Sequence, residues 1–198
     1  MASILGTVLT TAETGWKRIY NNDPAFVYTN FLTDSDGNFS SGVDYYTTAL
    51  NASNKAITNA TLDSNNHANR AAEIRINFTG TKLRIINTLP NSAQEDKPYI
   101  GSVYIDGTYY GQLYSAIQTN IWQNRTVTFE NTELSDTSHL LQIVLEPGSY
   151  RYWFDSIDVD TNSVITSGKL SSEFDGFIKK NYDKIINNIK DGDILTCK

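Results

Sequence analysis

Hydrophobic and polar residues alternate most cleanly in Ala72-Glu73-Ile74-Arg75-Ile76-Asn77-Phe78, where every second side chain is apolar. A period of two puts the apolar side chains on one face of a strand and the polar ones on the other. Phe78-Thr79-Gly80-Thr81-Lys82-Leu83 then turns at Gly80 into a second apolar run, so a tight connection joins two strands. Short runs of this kind, bounded by turn-forming residues, predict strands at 4–10, 16–20, 26–31, 45–48, 72–79, 82–87, 101–105, 112–114, 126–130, 140–145 and 152–159. Regularly spaced short strands of this sort indicate an all-β sandwich or barrel. In 140–145, Leu140, Ile143, Val144 and Leu145 read as buried.

The stretch 99–115 carries five tyrosines around Asp106-Gly107, a pair that suits a two-residue hairpin turn because both residues accept positive φ. Val103 and Ile105 then share the inner face with Leu113, which leaves Tyr104, Tyr110 and Tyr114 on the other. The closing strand has a parity conflict, since Phe154 and Ile157 cannot both face inward on a regular strand. A β-bulge near Asp155, or a strand covered on both sides, resolves it. Residues 33–42 and 51–69 lack periodicity and read as long loops. After Asp160 the pattern changes. Residues 161–169 read as a linker between a sandwich module at 1–160 and a C-terminal segment at 170–198. In that segment Phe174, Phe177, Ile178, Tyr182, Ile185, Ile186 and Ile189 recur at helical steps, which predicts an amphipathic α-helix followed by a tail that looks truncated.

Composition narrows the function classes. With 198 residues, 16 Lys+Arg against 22 Asp+Glu and a net charge of −6, the chain has no clustered positive charge for a nucleic-acid backbone. No run approaches the ~20 apolar residues of a membrane-spanning helix, so membrane insertion is not expected, and the N-terminus has no signal-peptide pattern. The single cysteine, Cys197, excludes an internal disulfide. Twenty asparagines, 12 Tyr and 3 Trp with only 19% charged residues suit a neutral sugar ligand. No Gly-x-Ser-x-Gly elbow occurs, which argues against a nucleophilic triad. The carboxylates Asp106, Glu130, Glu133, Glu146, Asp155, Asp158 and Asp160 fall where turns and wet strand faces need acids, so catalysis is not expected. His139 follows a Ser-Asp turn and reads as a packing or turn-bonding residue.

The ordered set Gly15-Trp16-Lys17-Arg18-Ile19, Asp23-Pro24-Ala25-Phe26-Val27-Tyr28, Phe78-Thr79-Gly80-Thr81-Lys82-Leu83, Val103-Tyr104-Ile105-Asp106-Gly107 and Phe154-Asp155-Ser156-Ile157-Asp158-Val159 resembles the galactose-binding-like jelly-roll modules. These are close to bacterial carbohydrate-binding modules and occur in clostridial surface proteins and phage tail proteins. The resemblance implies a jelly-roll β-sandwich, a glycan ligand and, in some relatives, a structural calcium, for which Asp155 is a weak candidate ligand. Trp16 sits at a structural opening position. Sugar sites stack aromatic faces on pyranose rings and flank them with amides, Arg or acids. Trp122 with Asn120, the Tyr150-Arg151-Tyr152 group, Tyr46 and, secondarily, Tyr110 fit that chemistry. The expected function is non-catalytic recognition of a cell-surface polysaccharide by an adhesive protein, on a virion tail or at a cell surface, with the 170–198 helix as a tether or homo-oligomer element. The alternatives are a ligand-free assembly sandwich and a binding appendage of a cell-wall or polysaccharide hydrolase.

Overall fold

The structure, a computed structural model, describes residues 4–29, 72–89, 101–115, 123–145 and 152–169. The chain divides into two units, 1–168 and 169–198. The expected helix at 170–198 and the strand at 45–48 lie outside the described residues.

Among the described residues ten strands form two antiparallel sheets: β1 (Trp16–Tyr20), β2 (Val27–Thr29), β3 (Ala72–Gly80), β4 (Leu83–Leu89), β5 (Gly101–Ile105), β6 (Thr108–Gln112), β7 (Gln123–Asn131), β8 (Thr137–Leu145), β9 (Trp153–Asp160) and β10 (Ile165–Ser167). One sheet has the order β1-β9-β4-β7; the other runs β10-β3-β8-β5-β6, with β2 also paired to β3. The alternation in β3 holds residue by residue: Ala72, Ile74, Ile76 and Phe78 are buried and their neighbours are half-buried. Its partner β8 alternates likewise, with Leu141, Ile143 and Leu145 in the core and Leu140 and Val144 on the opposite face. The continuous burial expected from 140 to 145 is therefore a one-sided strand, because only one face of this sheet meets the other sheet.

The other sheet is buried on both faces. β4 and β9 are its central strands and are covered almost end to end. On the inner side Leu83, Ile85, Phe154, Ile157 and Val159 join the core. Residues 4–15, expected to open with a strand at 4–10, lie along the outer side instead. They make one isolated bridge, Val8 to Thr126, and backbone hydrogen bonds from Gly6 to Val127 and from Leu9 to Arg125. Gly6 and Thr7 break the run too early for a continuous ladder. The parity conflict in β9 is resolved by a bulge: Ile86 pairs with Ser156 and Asn87 with Phe154, so Asp155 is the extra residue.

The expected linker at 161–169 contributes a strand. After a turn at 161–162, β10 pairs with β3, Ile165 opposite Phe78, and Gly168 donates its N–H to the Ala25 carbonyl at 3.0 Å. Main-chain pairing to an edge needs little apolar content, which is why the Thr- and Ser-rich sequence did not announce it.

Candidate glycan-binding face

The hairpin β5–β6 turns at Asp106 (φ 53°) and Gly107 (φ 76°), the two positive φ values that a two-residue connection needs. The Asp106 carboxylate accepts the Leu140 N–H through Oδ1 at 2.8 Å and contacts His139 Nδ1 through Oδ2 at 2.6 Å, which ties the turn to β8. His139 is buried as expected of a packing residue, and its Nε2 donates to the Ser135 carbonyl at 2.8 Å. Past the turn the register slips by one: Tyr104 faces Tyr109 while Val103 faces Gly111, so Tyr110 is the bulged residue. β6 therefore spans 108–112 rather than the expected 112–114.

With Val103 and Ile105 in the core, Tyr104 points to the open face of the sheet, and its register partners lie on the same face. Tyr109, Tyr104, Gln142 and Arg75 form one row across β6, β5, β8 and β3. The tyrosine rings lie 5.6 Å apart at 59°, and Tyr109 is 54% exposed. Beside them Gln142 Nε2 donates to Glu73 Oε1 at 2.9 Å, and Arg75 Nε lies 3.8 Å from the same oxygen. Three inter-strand steps make this row ~14 Å long. Two aromatic faces, an amide and a mutually neutralised acid and guanidinium are the groups that pyranose rings and their hydroxyls engage.

Sequence reasoning singled out Tyr110, which is 43% exposed, and placed Tyr104 on the same outer face of the hairpin. It missed Tyr109, Gln142, Glu73 and Arg75, although the last two occupy polar positions of the alternating 72–78 run. Tyr114 was placed on the wet face but packs on the core, its ring against Gly6. Tyr152 cannot serve as a binding aromatic. It is fully buried, stacked at 6.4 Å and 13° on Phe154, because β9 is covered on both sides. Tyr46, Asn120, Trp122, Tyr150 and Arg151 lie outside the described residues. The strand ends that flank them in sequence (Thr29 and Ala72, Gln123, Leu145 and Tyr152) share one end of the sandwich, opposite the tight β3–β4 connection.

Asp158 and Glu130 of the doubly buried sheet are engaged by arginines. Arg18, Asp158, Arg84 and Glu130 are register partners in a row across β1, β9, β4 and β7. Arg18 Nε and Nη2 hold Asp158 at 2.7 and 2.9 Å, and Arg84 Nε holds Glu130 at 2.6 Å. The 4–15 segment closes over this row: Arg18 donates to the Leu9 carbonyl, Arg125 to the Thr10 carbonyl, and Arg84 Nη1 to Glu13 at 2.6 Å. Trp16 completes the cover, with Arg84 and Lys82 over its ring at 3.9 and 4.4 Å. Asp155 lies beside this row. Burial pushes its carboxyl above the usual range, opposed by the Ser156 hydroxyl at 2.7 Å and by Arg125 and Arg18. Arg125 Nε stands 3.9 Å from its Oδ2. Guanidinium groups surround the carboxylate where calcium would need further oxygens. No cluster of three or more His, Cys, Asp or Glu exists among the described residues. The described surroundings of Asp155, a weak candidate for a calcium ligand, are those of a hydrogen-bonded, arginine-flanked acid and do not fit that ion.

Comparison with known proteins places the fold. No family model matches the chain, and no curated protein matches it. Among solved structures, the chain is similar to the salicylyl-acyltransferase SsfX3 from a tetracycline biosynthetic pathway, at 10% identity and TM-score 0.50, over 81% of this chain and 44% of that one. The chain thus spans less than half of that protein's length. It is also similar to a CBM35 from Cellvibrio japonicus Abf62, at 14% identity and TM-score 0.49, over 78% of this chain and 99% of that one. The first likeness, at 10% identity, concerns the two-sheet sandwich and not the chemistry grafted on it.

Proposed function

We propose that this chain is a non-catalytic carbohydrate-recognition module of jelly-roll type that binds a neutral glycan across the open face of its six-stranded sheet. The observation that carries the reading is the row Tyr109-Tyr104-Gln142-Arg75, with Glu73 bonded to Gln142. The tyrosines supply stacking surface, and the amide and ion pair supply hydroxyl partners without net charge. Tyr46, Asn120, Trp122, Tyr150 and Arg151 are proposed as further contacts on the chemistry of their side chains alone. A cell-surface polysaccharide bound by an adhesive protein, on a virion tail or at a cell surface, is the setting we propose on the resemblance of the ordered strand motifs.

The test is binding to a panel of neutral cell-wall and capsular polysaccharides, with Tyr109→Ala and Gln142→Ala as variants. Each variant should lose about tenfold or more in affinity, which corresponds to ~1.4 kcal/mol. Tyr109→Ala should keep its thermal stability to within ~0.5 kcal/mol, as expected for an exposed position, and Gln142→Ala, half-buried and bonded to Glu73, to within ~1 kcal/mol. A folded protein that binds nothing in the panel, or whose binding ignores both substitutions, sinks the proposal.

A further inference from the structure

At the end of the sandwich opposite the long connections lies a cleft of about 430 Å³. It is walled by the β3–β4 connection, the loop before β8 and the turn between β9 and β10, and its polar lining is Thr79, Thr81, Asp136, Asp160, Thr161, Asn162 and Ser163. Gly80, at φ 124°, makes it possible, because a Cβ there would collide with the Asp160 carboxylate that folds over the turn. Asp160 Oδ2 accepts the Thr81 N–H at 2.5 Å and the Thr81 hydroxyl at 3.2 Å, and Lys82 Nζ lies 3.4 Å from Oδ1. Thr79 Oγ1 accepts the Val164 N–H at 2.9 Å, which leaves its own proton to donate. Ser163 is buried, its N–H bonded to the Asp160 carbonyl and its carbonyl accepting from Lys17 Nζ, yet its hydroxyl has no partner. That oxygen is itself shielded, so the polar side chains a ligand meets in the cleft are those of Thr79, Thr81, Asp136, Asp160, Thr161 and Asn162.

The lining selects the ligand class. It offers no aliphatic or aromatic side chain larger than a threonine methyl, so an apolar ligand gains nothing by entering. Two carboxylates oppose an anion, and the lysines that come near are committed to the Ser163 carbonyl and to Asp160. A divalent cation lacks a third acidic, His or Cys ligand among the described residues, and Lys82 already stands against Asp160. The remaining class is neutral and rich in hydroxyls. Its O–H groups donate to Asp136 and Asp160 and accept from Thr79 and Asn162, and its volume fits a cleft within the ~300–1,000 Å³ range of small-molecule sites.

We propose that this cleft is a second binding site, for a neutral polyhydroxylated ring such as a monosaccharide or the terminal residue of a glycan chain. It stands on its own geometry, apart from the tyrosine face. With no stacking platform, its dissociation constant falls on the order of 1 mM.

The test is an amide NMR titration of the full chain with D-glucose, D-galactose, D-xylose and N-acetylglucosamine, with the hexamers of glucose and xylose, and with calcium chloride and sodium phosphate. At least one neutral sugar should give saturable shifts at Gly80, Thr81, Asn162 and Ser163. Asn162→Ala and Asp136→Ala, both at exposed positions, should weaken that response about fivefold or more while leaving the rest of the spectrum in place. A hexamer that binds as well as its monomer identifies a chain end as the ligand, and a response to monomer alone identifies a free sugar. Tyr109→Ala should leave these shifts unchanged, so failure of the sheet-face reading and failure of this one are told apart. No saturable shift up to ~100 mM of any sugar, or a response to calcium or phosphate alone, overturns the proposal.

Discussion

His139 faces a carboxylate oxygen through one ring nitrogen and a carbonyl oxygen through the other. The carbonyl can only accept, so Nε2 carries a proton, and Nδ1 is best matched to Asp106 when it carries one too. Burial lowers the pKa of the ring, but the Asp106 hydrogen bond, with those to Ser135 and Gly80, more than offsets it, and the net shift is upward from 6.5. The sign follows: the pair's contribution to stability is complete below pH ~6.5 and is lost as pH rises through the higher folded value. Chemical denaturation across pH 6 to 9 should show stability falling with pH. Asp106→Asn, which tolerates the positive φ but removes the charge, should flatten the slope; an unchanged slope would assign it elsewhere. Asp155 runs the same way from a lower start. Its folded value lies above 3.8, so its contribution is complete below that pH and is lost as pH rises through the folded value. Asp155→Asn keeps an acceptor for Ser156 and should cost no stability at pH 7 by thermal melting, whereas a metal-binding role would make the wild type alone gain stability with added calcium.

Among the elements, β9 shows how a polar sequence can be a central strand. Its inward residues make core and its outward residues make a row of alternating charge with β1, β4 and β7. Asp158 is wholly buried between Arg18 and Arg84. Asp158→Asn would take the carboxylate from Arg18, while Arg84 keeps Glu130 and Glu13, and should cost ~3–5 kcal/mol in urea denaturation, as removing one member of a buried pair does. A loss below ~1 kcal/mol would show that the row is solvated. β3 was legible from its alternation, β1 and β5 as short runs bounded by turn residues, and the conflict between Phe154 and Ile157 pointed to a bulge near Asp155 or a strand covered on both sides, of which β9 has both. Elements held mainly by backbone bonds were not legible: β10, and the 4–15 segment laid over the charged row. Neither carries an apolar period, and each depends on a partner strand far away in sequence. The candidate face was missed for a related reason. Its members come from four strands and meet only through register, and the long loops drew attention because aromatics there had no strand to explain them.

The sandwich as a whole is closed by the chain beyond Asp160. Residues 161–168 contribute β10, the bond from Gly168 to Ala25 and the Lys17 contact at Ser163. A chain ended at Gly168 should melt cooperatively, while one ended at Asp160 should lose roughly 2–3 kcal/mol, or about 5–10 °C, from several hydrogen bonds of ~1 kcal/mol each. Equal melting temperatures would mean that β10 is ornamental. The bulge at Tyr110 bears on how copies of the molecule coexist. Among the described residues β6 is an outermost strand, and a straight outermost strand is a template on which another copy can add its own backbone. The extra residue and the neighbouring Gly111 at φ 136° break the even spacing of N–H and C=O groups that such addition needs. What reads from one molecule as an irregular hairpin thus acts, in a crowd of them, as a guard against fibre growth, and it leaves the tyrosine pair open to something other than a second copy.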